Sequence, residues 1–546
     1  MTPPDGSNCG GNEQRFWTHA QQLEKLPPCQ AECPNSGDVR GWLGIIAQRQ
    51  KHGLSLAQAY DRAWEELAQR NPFPATIGRI CPHPCESRCT RSDKDGAVSI
   101  NALERFLGDW GIDRELSLPR IEGPRNTESI GVIGSGPAGL SFAYQMARRG
   151  YTVTIYERQI QPGGMLRDVI PDYRLPRKVL DAEIERLFEL GIAVIRGVEL
   201  GKDITLAELR ERHDILFLGL GAHGARQLGI PGESGPGVMA GINYLRRRKL
   251  GMNCGLGDHV VVIGGGNTAI DAARSARREG AAVTVLYRRT RAEMPAAAHE
   301  VDDAIIEGVD FTFRSVPTRV LRKDAAVTGI EYHYKRAGET GEPMWMAADA
   351  IIVAISQEPD WQEPDLSSDG HKWLHTEEDG RLANDLWAGG DDRGPGIASR
   401  SVAQGRFAAE AAHAQLRGEP RPQPAPQPVG AGTVKVDYYE EQERGETRRR
   451  PRDEWLGQPD LEIDLTISSE QACQEAARCM SCGLCFDCHQ CVMYCNAGGY
   501  SALEDTAPGR YFDLTLELCE GCGKCIELCP CGYLEAREGS PWRTRC

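Results

Sequence analysis

Residues 129–157, SIGVIGSGPAGLSFAYQMARRGYTVTIYE, admit few folds. A short apolar run leads into a turn carrying Gly134, Gly136 and Gly139, followed by an amphipathic stretch and a second apolar run that ends on Glu157. Strand, glycine turn, helix and strand in that order form the dinucleotide-binding unit of a parallel sheet. Its glycines let the backbone approach a pyrophosphate, and its terminal acid accepts from a ribose hydroxyl. Gly134, Gly136, Pro137, Ala138, Gly139 and Glu157 are therefore candidate cofactor contacts, and the fold class is α/β.

A second unit of the same kind follows, DHVVVIGGGNTAIDAARSARREGAAVTVLYRR from Asp258. Its turn offers Gly264, Gly266, Asn267, Thr268 and Ala269, but its second strand ends on Arg288 and Arg289 rather than on an acid. Arginines there suit the 2′-phosphate of NADP, because guanidinium forks bind phosphate strongly. Two solvated surface arginines are the competing reading, so NADPH is preferred with NADH left open. The first unit, which precedes this one and has cysteine groups on both sides of it, reads as the FAD site. Gly164, Leu166 and Arg174 of QPGGMLRDVIPDYRLP add to its candidate contacts. DILFLGLGA, from Asp214, reads as a buried parallel strand.

Strand-like runs GVDFTFRSV, VTGIEYHYK and AIIVAIS follow, with turns expected at GETGEP and QEPDWQEPD. Then DLWAGGDDRGPGIASRSVAQG returns to strand, glycine turn and helix, placing Gly390 and Asp391 beside helix N–H groups suited to a phosphate. The second unit is thus expected to be inserted within the first. The expected order is a helical iron–sulfur domain at 1–125, an FAD domain at 126–225 and 356–417, an NAD(P)H domain at 226–355, a Pro-rich and charged linker at 418–468, and a ferredoxin-like α+β domain at 469–546. Hydride transfer between cofactors needs no catalytic nucleophile. His299 and Glu300 could face a nicotinamide from a helix, or could be an ordinary polar helix face.

A formal net charge of -15 and a pI near 5.4 argue against nucleic acid as a partner. The sequence starts without a basic and apolar leader, and no uninterrupted apolar run of about 18 residues is present, so a soluble cytoplasmic protein without membrane insertion is expected. The 20 cysteines bunch towards the two ends while Cys254 stands alone between them, which suits cluster or metal ligation rather than disulfides and leaves no redox pair for disulfide reduction.

RCMSCGLCFDCHQCVMYCN and LCEGCGKCIELCPCG hold the densest chemistry. The second follows C-x2-C-x2-C-x3-C-P, and the first meets the same register, though Asn496 stands where the proline would. In such paired runs the fourth cysteine ligates the other cluster. Cys485, Cys488, Cys491 and Cys529 are assigned to one 4Fe-4S cluster, and Cys519, Cys522, Cys525 and Cys495 to another. Cys479 and Cys482 offer a competing register; Cys473, Cys531 and Cys546 are left as spare thiols. Near the N-terminus LPPCQAECP and ICPHPCESRC present Cys29, Cys33, Cys81, Cys85 and Cys89, for which zinc is the alternative.

LPPCQAECP, ICPHPCESRC, AVSINALERF, GSGPAGL, GGMLRDVIPDYRLP, GGGNTAIDAA, YRRTRAEMPA and AGGD, in this order, resemble the small (β) subunit of glutamate synthase and its NAD(P)H-oxidising relatives. Dihydropyrimidine dehydrogenase is similar in the N-terminal part. The resemblance implies FAD at the first glycine turn and NAD(P)H at the second. It also implies one N-terminal cluster on Cys33, Cys81, Cys85 and Glu104, with Cys29 and Cys89 as two ligands of a second. The family's further pair of cysteines before Cys29 is replaced by HAQQLEKL, with distant Cys9 as the one upstream substitute, so one or two N-terminal clusters are expected. The implied activity is NAD(P)H:acceptor oxidoreduction through FAD and 4Fe-4S clusters. The acceptor would be a ferredoxin or a partner enzyme such as a dissimilatory sulfite reductase or 2-oxoacid oxidoreductase. The alternative is an obligate subunit of such a complex, of glutamate synthase or of a bifurcating transhydrogenase, as a homodimer or hetero-oligomer.

Overall fold

The computed structural model describes residues 18–336, 339–361, 363, 366, 373–421, 428–430, 432–507 and 509–538. Cys9, Cys546 and the proline-rich residues 422–427 lie outside the described residues. A six-stranded sheet runs in the order Arg381–Ala383, Leu386–Ala388, Ile215–Leu218, Ser129–Ile133, Thr152–Glu157, Ala193–Arg196. Only the Arg381–Ala383 edge is antiparallel to its neighbour. Ile130, Val132, Ile155, Leu216 and Phe217 are buried, as expected of strands covered on both faces. Helices Pro137–Ala147 and Ala398–Arg417 pack together below it, Ser141 Oγ donating to Val402 O at 2.7 Å. That contact brings the AGGD segment to the first glycine turn across more than 240 intervening residues.

A second, all-parallel sheet is ordered Asp310–Thr312, Ala282–Leu286, His259–Ile263, Ala350–Val353, Val238–Ala240. The chain crosses into it and back at Gly224–Ala225 and Gln357–Glu358, and these crossings pair antiparallel as a short ribbon. An antiparallel sheet of Ser315–Lys323, Ala326–Arg336 and Glu339–Ala347 covers one side, burying Val320, Val327 and Ile330 against Val261, Ile263 and Leu286. The turn expected over GETGEP is displaced: Glu339–Ala347 is strand, with Arg336 already opposite Glu339. Gly341 and Pro343 are tolerated because this is an edge strand, where a missing N–H leaves no ladder bond unmade.

Helices Val39–Ala47, Leu56–Arg70, Pro74–Ile80 and Ile100–Asp113 form the N-terminal unit. Its core is continuous with that of the first sheet. Helix Ser469–Ala477, grouped by the sequence reading with the C-terminal cysteine runs, packs instead into this core through Ala472 and Ala476. Residues of the expected linker are also packed: Trp455 and Ile463 are buried with Tyr173, and Ile467 joins the N-terminal core. In the C-terminal unit Tyr500–Ala507 pairs with Arg510–Leu514. Leu534–Glu538 pairs antiparallel with Thr18–Gln22, tying the two ends of the described chain together.

Candidate functional site

The first glycine turn opens one wall of a deep cleft. Gly134 has φ +94°, and a Cβ there would overlap the Gly219 carbonyl, so the turn accepts no side chain. Gly134, Ser135, Gly136, Pro137 and Ala138 line the cleft and begin helix Pro137–Ala147, whose free N–H groups suit a pyrophosphate. Gly139 does not line it; a Cβ there would strike the Gly134 carbonyl, so it permits close helix packing instead. Glu157 is buried, its carboxylate accepting from Ser135 N at 2.8 Å and Gln159 N at 2.7 Å. Two oxygens with about four acceptor positions leave room for a ribose hydroxyl. Gly164, Leu166, Arg174, Gly390 and Asp391 complete the cleft wall. This donor and acceptor set fits FAD.

Sequence reasoning missed several cleft residues. Asp392, next to the expected Asp391, is fully buried and accepts from Leu220 N at 3.0 Å and Gly221 N at 2.5 Å. Burial pushes its carboxyl up to about 8, and that of Asp391 up to about 6. His223 also lines the cleft; burial, then Arg158 and Arg246, hold it down at about 4, so it is neutral. A DD pair and an isolated His give the sequence no signal of which faces inward.

The second cleft is lined by Gly264, Gly266, Asn267, Thr268, Arg288 and Arg289, with Arg226 and Ser315 added. Ala269 is buried behind it, in packing contact beneath the turn. Among the described residues neither Arg288 nor Arg289 is paired with a carboxylate, and both are exposed. Asn267, Thr268, Gln357, Asp391 and Gly396 line both clefts, which therefore meet at the second glycine turn. Arg174 spans the same junction, pairing with Asp271 at 2.9 Å and Glu300 at 2.8 Å. Glu300 is buried in that network with Arg274, and neither it nor His299 lines either cleft.

Ile80, which lines the first cleft, precedes Cys81, which lines a cavity with Cys33, Cys85 and Glu104. Helix Ala398–Arg417 separates the two: Ala398 and Ser401 face the cleft, Ser399 and Val402 the thiols. Helix ends aim these ligand candidates inward. Cys33 follows Pro28–Glu32, Cys81 follows Pro74–Ile80, and Cys85 lies in the turn begun by Pro84. Asn71 Nδ2 donates to Glu104 Oε1 at 2.9 Å, and Cys81 lies 3.6 Å from Ser399 Oγ. Burial pushes Glu104 up to about 7 and Cys81 up to about 12, a cost that a cationic centre would offset. Three thiols and a carboxylate around one cavity are a donor set that fits an iron–sulfur cluster.

In the C-terminal unit Cys485, Cys488, Cys491 and Cys529 line one cavity together with Cys531, whose sulfur is 3.8 Å from that of Cys529. Cys525 stands beside Tyr500, and Cys519 and Cys522 are near enough to act on it electrostatically. Cys495 accepts from Gly499 N at 3.3 Å, next to the same tyrosine. Cys29, Cys89, Cys479 and Cys482 line a further cavity. No disulfide joins the described cysteines, and no described helix is long and apolar enough to cross a membrane.

Residues 128–405 match the pyridine nucleotide-disulphide oxidoreductase family, and residues 22–116 match dihydropyrimidine dehydrogenase domain II, 4Fe-4S cluster. The NADPH-Fe(3+) oxidoreductase subunit beta of Geobacter sulfurreducens is 38% identical over 367 residues, covering 63% of this chain and 53% of that protein. The NADP(+)-dependent formate dehydrogenase subunit beta of Moorella thermoacetica is 34% identical over 370 residues, covering 61% and 51%. This chain thus spans about half the length of these two relatives. The small chain of glutamate synthase [NADPH] from Azospirillum brasilense is 32% identical over 429 residues, covering 72% of this chain and 87% of that protein. With its two glycine turns, their joined clefts and an N-terminal 4Fe-4S domain, the chain belongs to the pyridine nucleotide-disulphide oxidoreductase family, among the relatives of the glutamate synthase small chain.

Proposed function

We propose that the chain is an NADPH-dependent oxidoreductase with FAD in the first cleft, NADPH in the second, and 4Fe-4S clusters that exchange single electrons with a redox partner protein. One observation carries this reading. The two nucleotide clefts share the wall formed by Asn267, Thr268, Gln357, Asp391 and Gly396, while the first cleft and the thiol cavity around Glu104 lie against the same helix, Ala398–Arg417. FAD, when bound, supplies the conversion between a two-electron hydride and single electrons.

The chain's part is to hold and orient. The N–H groups after Gly136 and the Glu157 carboxylate bind the first nucleotide, and Arg288 and Arg289 bind the 2′-phosphate of the second. The Arg174, Asp271 and Glu300 network fixes the angle between the two nucleotide units, and the apolar residues Ile80, Leu166 and Ile397 exclude water from the junction. Cys33, Cys81, Cys85 and Glu104 would ligate the cluster nearest the flavin. Cys485, Cys488, Cys491 and Cys529, and then Cys519, Cys522, Cys525 and Cys495, would ligate two clusters of a ferredoxin-like C-terminal unit. The shared cavity of the first of these sets and the grouping of Cys519, Cys522 and Cys525 support that reading.

The span of about half of the NADPH-Fe(3+) oxidoreductase and formate dehydrogenase relatives, both named as beta subunits, favours a second reading as the electron-transfer subunit of a larger complex. Anaerobic assay of the purified chain separates the two. NADPH-driven reduction of a viologen by the chain alone supports the enzyme reading, and inactivity relieved only by a co-purifying partner supports the subunit reading.

A further inference from the structure

Two cysteines near the start of the chain and two near its end face one cavity. Cys29, at the head of Pro28–Glu32, and Cys89, in the loop after Pro84–Ser87, line it with Cys479 and Cys482. The 478–482 segment is firmly seated on the N-terminal unit. Arg40 Nη1 donates to Cys482 O at 2.8 Å and to Lys25 O at 2.7 Å. Arg91 donates to Arg478 O at 2.8 Å, and Arg478 is itself buried and paired with Asp95 at 2.9 Å. Arg40 and Arg91, both buried, line the cavity, Arg40 paired with Glu24 at 2.6 Å and Arg91 with Asp95 at 2.7 Å.

We propose that Cys29, Cys89, Cys479 and Cys482 together ligate a further 4Fe-4S cluster, whose ligands come in equal numbers from the two ends of the chain. This rests on the reading that the chain carries iron–sulfur clusters. The cysteine pair expected upstream of Cys29 is missing, and the C-x2-C of Cys479 and Cys482 brings two sulfurs to the cavity that Cys29 and Cys89 line. Cluster binding takes all four sulfurs as thiolates, releasing their protons.

The position gives the site a role. Val39 and Ile100 line both this cavity and the one around Cys33, Cys81, Cys85 and Glu104. On its other side Tyr439 donates to Met480 O at 2.7 Å, and it feels the charges of Cys479 and Cys482 as well as those of Cys488 and Cys531. The split cluster therefore bridges the N-terminal site and the C-terminal cysteine runs, completing one series of adjacent sites from the flavin cleft to the C-terminal unit. It also makes iron loading couple the two ends of the chain.

The test uses the full chain, produced and purified anaerobically, in three variants: Cys29→Ser with Cys89→Ser, Cys479→Ser with Cys482→Ser, and all four together. Iron and acid-labile sulfide are measured per FAD, with EPR spectra of the dithionite-reduced protein. Each pair should cost the same ~4 iron and ~4 sulfide atoms and the same EPR component, and the quadruple variant should lose no more. Additive losses of ~8 irons in the quadruple variant, a loss from one pair only, no loss, or zinc without sulfide would each overturn the proposal. Should the variants misfold, alkylation of the wild-type protein gives the answer: the four thiols should become reactive together as iron is stripped, and independent rates refute a shared cluster. Cys522→Ala and Cys85→Ala test the parent reading separately, since each should still remove a cluster if only the split site is wrong. Wild-type protein without iron would sink both.

Discussion

Replacing Arg288 and Arg289 by Ala tests the nucleotide assignment at the point where the sequence and the structure bear on it together. Both residues stand at the end of Ala282–Leu286, line the second cleft and are not paired with carboxylates among the described residues. A hydrogen bond to a charged group contributes about 1.5–3 kcal/mol, and the exposure of both guanidinium groups puts each near the lower figure. One arginine is then worth about tenfold, and the pair about 100-fold, in kcat/KM for NADPH. NADH has no 2′-phosphate, so its kcat/KM should change by less than about threefold. The assay is anaerobic steady-state reduction of a viologen at several concentrations of each nucleotide, with flavin content as the normaliser. Equal losses for NADPH and NADH would refute the phosphate-binding role and return both arginines to an ordinary surface.

Glu183 accepts from Ala75 N at 2.7 Å and Thr76 N at 2.9 Å, holding the helix whose end carries Ile80 and Cys81. Glu183→Ala should destabilise the protein by about 2–4 kcal/mol by leaving two buried donors unpaired, measured by chemical denaturation; an unchanged midpoint and slope would remove that role. Asp392 has a folded carboxyl near 8, above its unfolded value, so its contribution to stability is fully present below about pH 4 and is lost as pH rises through 8. In flavin-depleted protein Asp392→Asn should flatten the fall in Tm between about pH 5 and 8; parallel wild-type and variant profiles would contradict it. Gly134→Ala should abolish FAD retention, because its Cβ meets the Gly219 carbonyl, and flavin content of the purified variant decides this.

The nucleotide machinery was legible because its signals are local. Glycines at fixed offsets between a period-two run and a helical run place Gly134, Gly136 and Glu157 within one βαβ unit, and the same logic finds Gly264 and Arg288. The cavity lined by Cys485, Cys488, Cys491 and Cys529 combines three closely spaced cysteines of one run with the fourth of the other, the exchange that paired runs of this spacing lead one to expect. What escaped is set by long-range packing. Arg40 and Cys482 are 442 positions apart, and no periodicity says that the segment after helix Ser469–Ala477 will seat beside Cys29. Strand Thr18–Gln22, THAQQ, shows no apolar alternation, and its pairing comes from the distant Leu534–Glu538. Asp391 and Asp392 are indistinguishable in sequence; burial alone separates the one that clamps Leu220 and Gly221.

In the proposed function nicotinamide, flavin and clusters form one conducting path. Cluster potentials span a wide range, but any cluster lies either above or below the nicotinamide couple, so electrons must run in at least one direction. The measurement is an anaerobic stopped-flow pair: oxidised protein mixed with NADPH, and dithionite-reduced protein, freed of excess reductant, mixed with NADP+. Flavin and iron–sulfur absorbance are followed together. A continuous path predicts cluster bleaching in the first mixture or cluster reoxidation with NADPH formation in the second, each passing through the flavin. Flavin that exchanges with nicotinamide while the clusters change in neither mixture would contradict it.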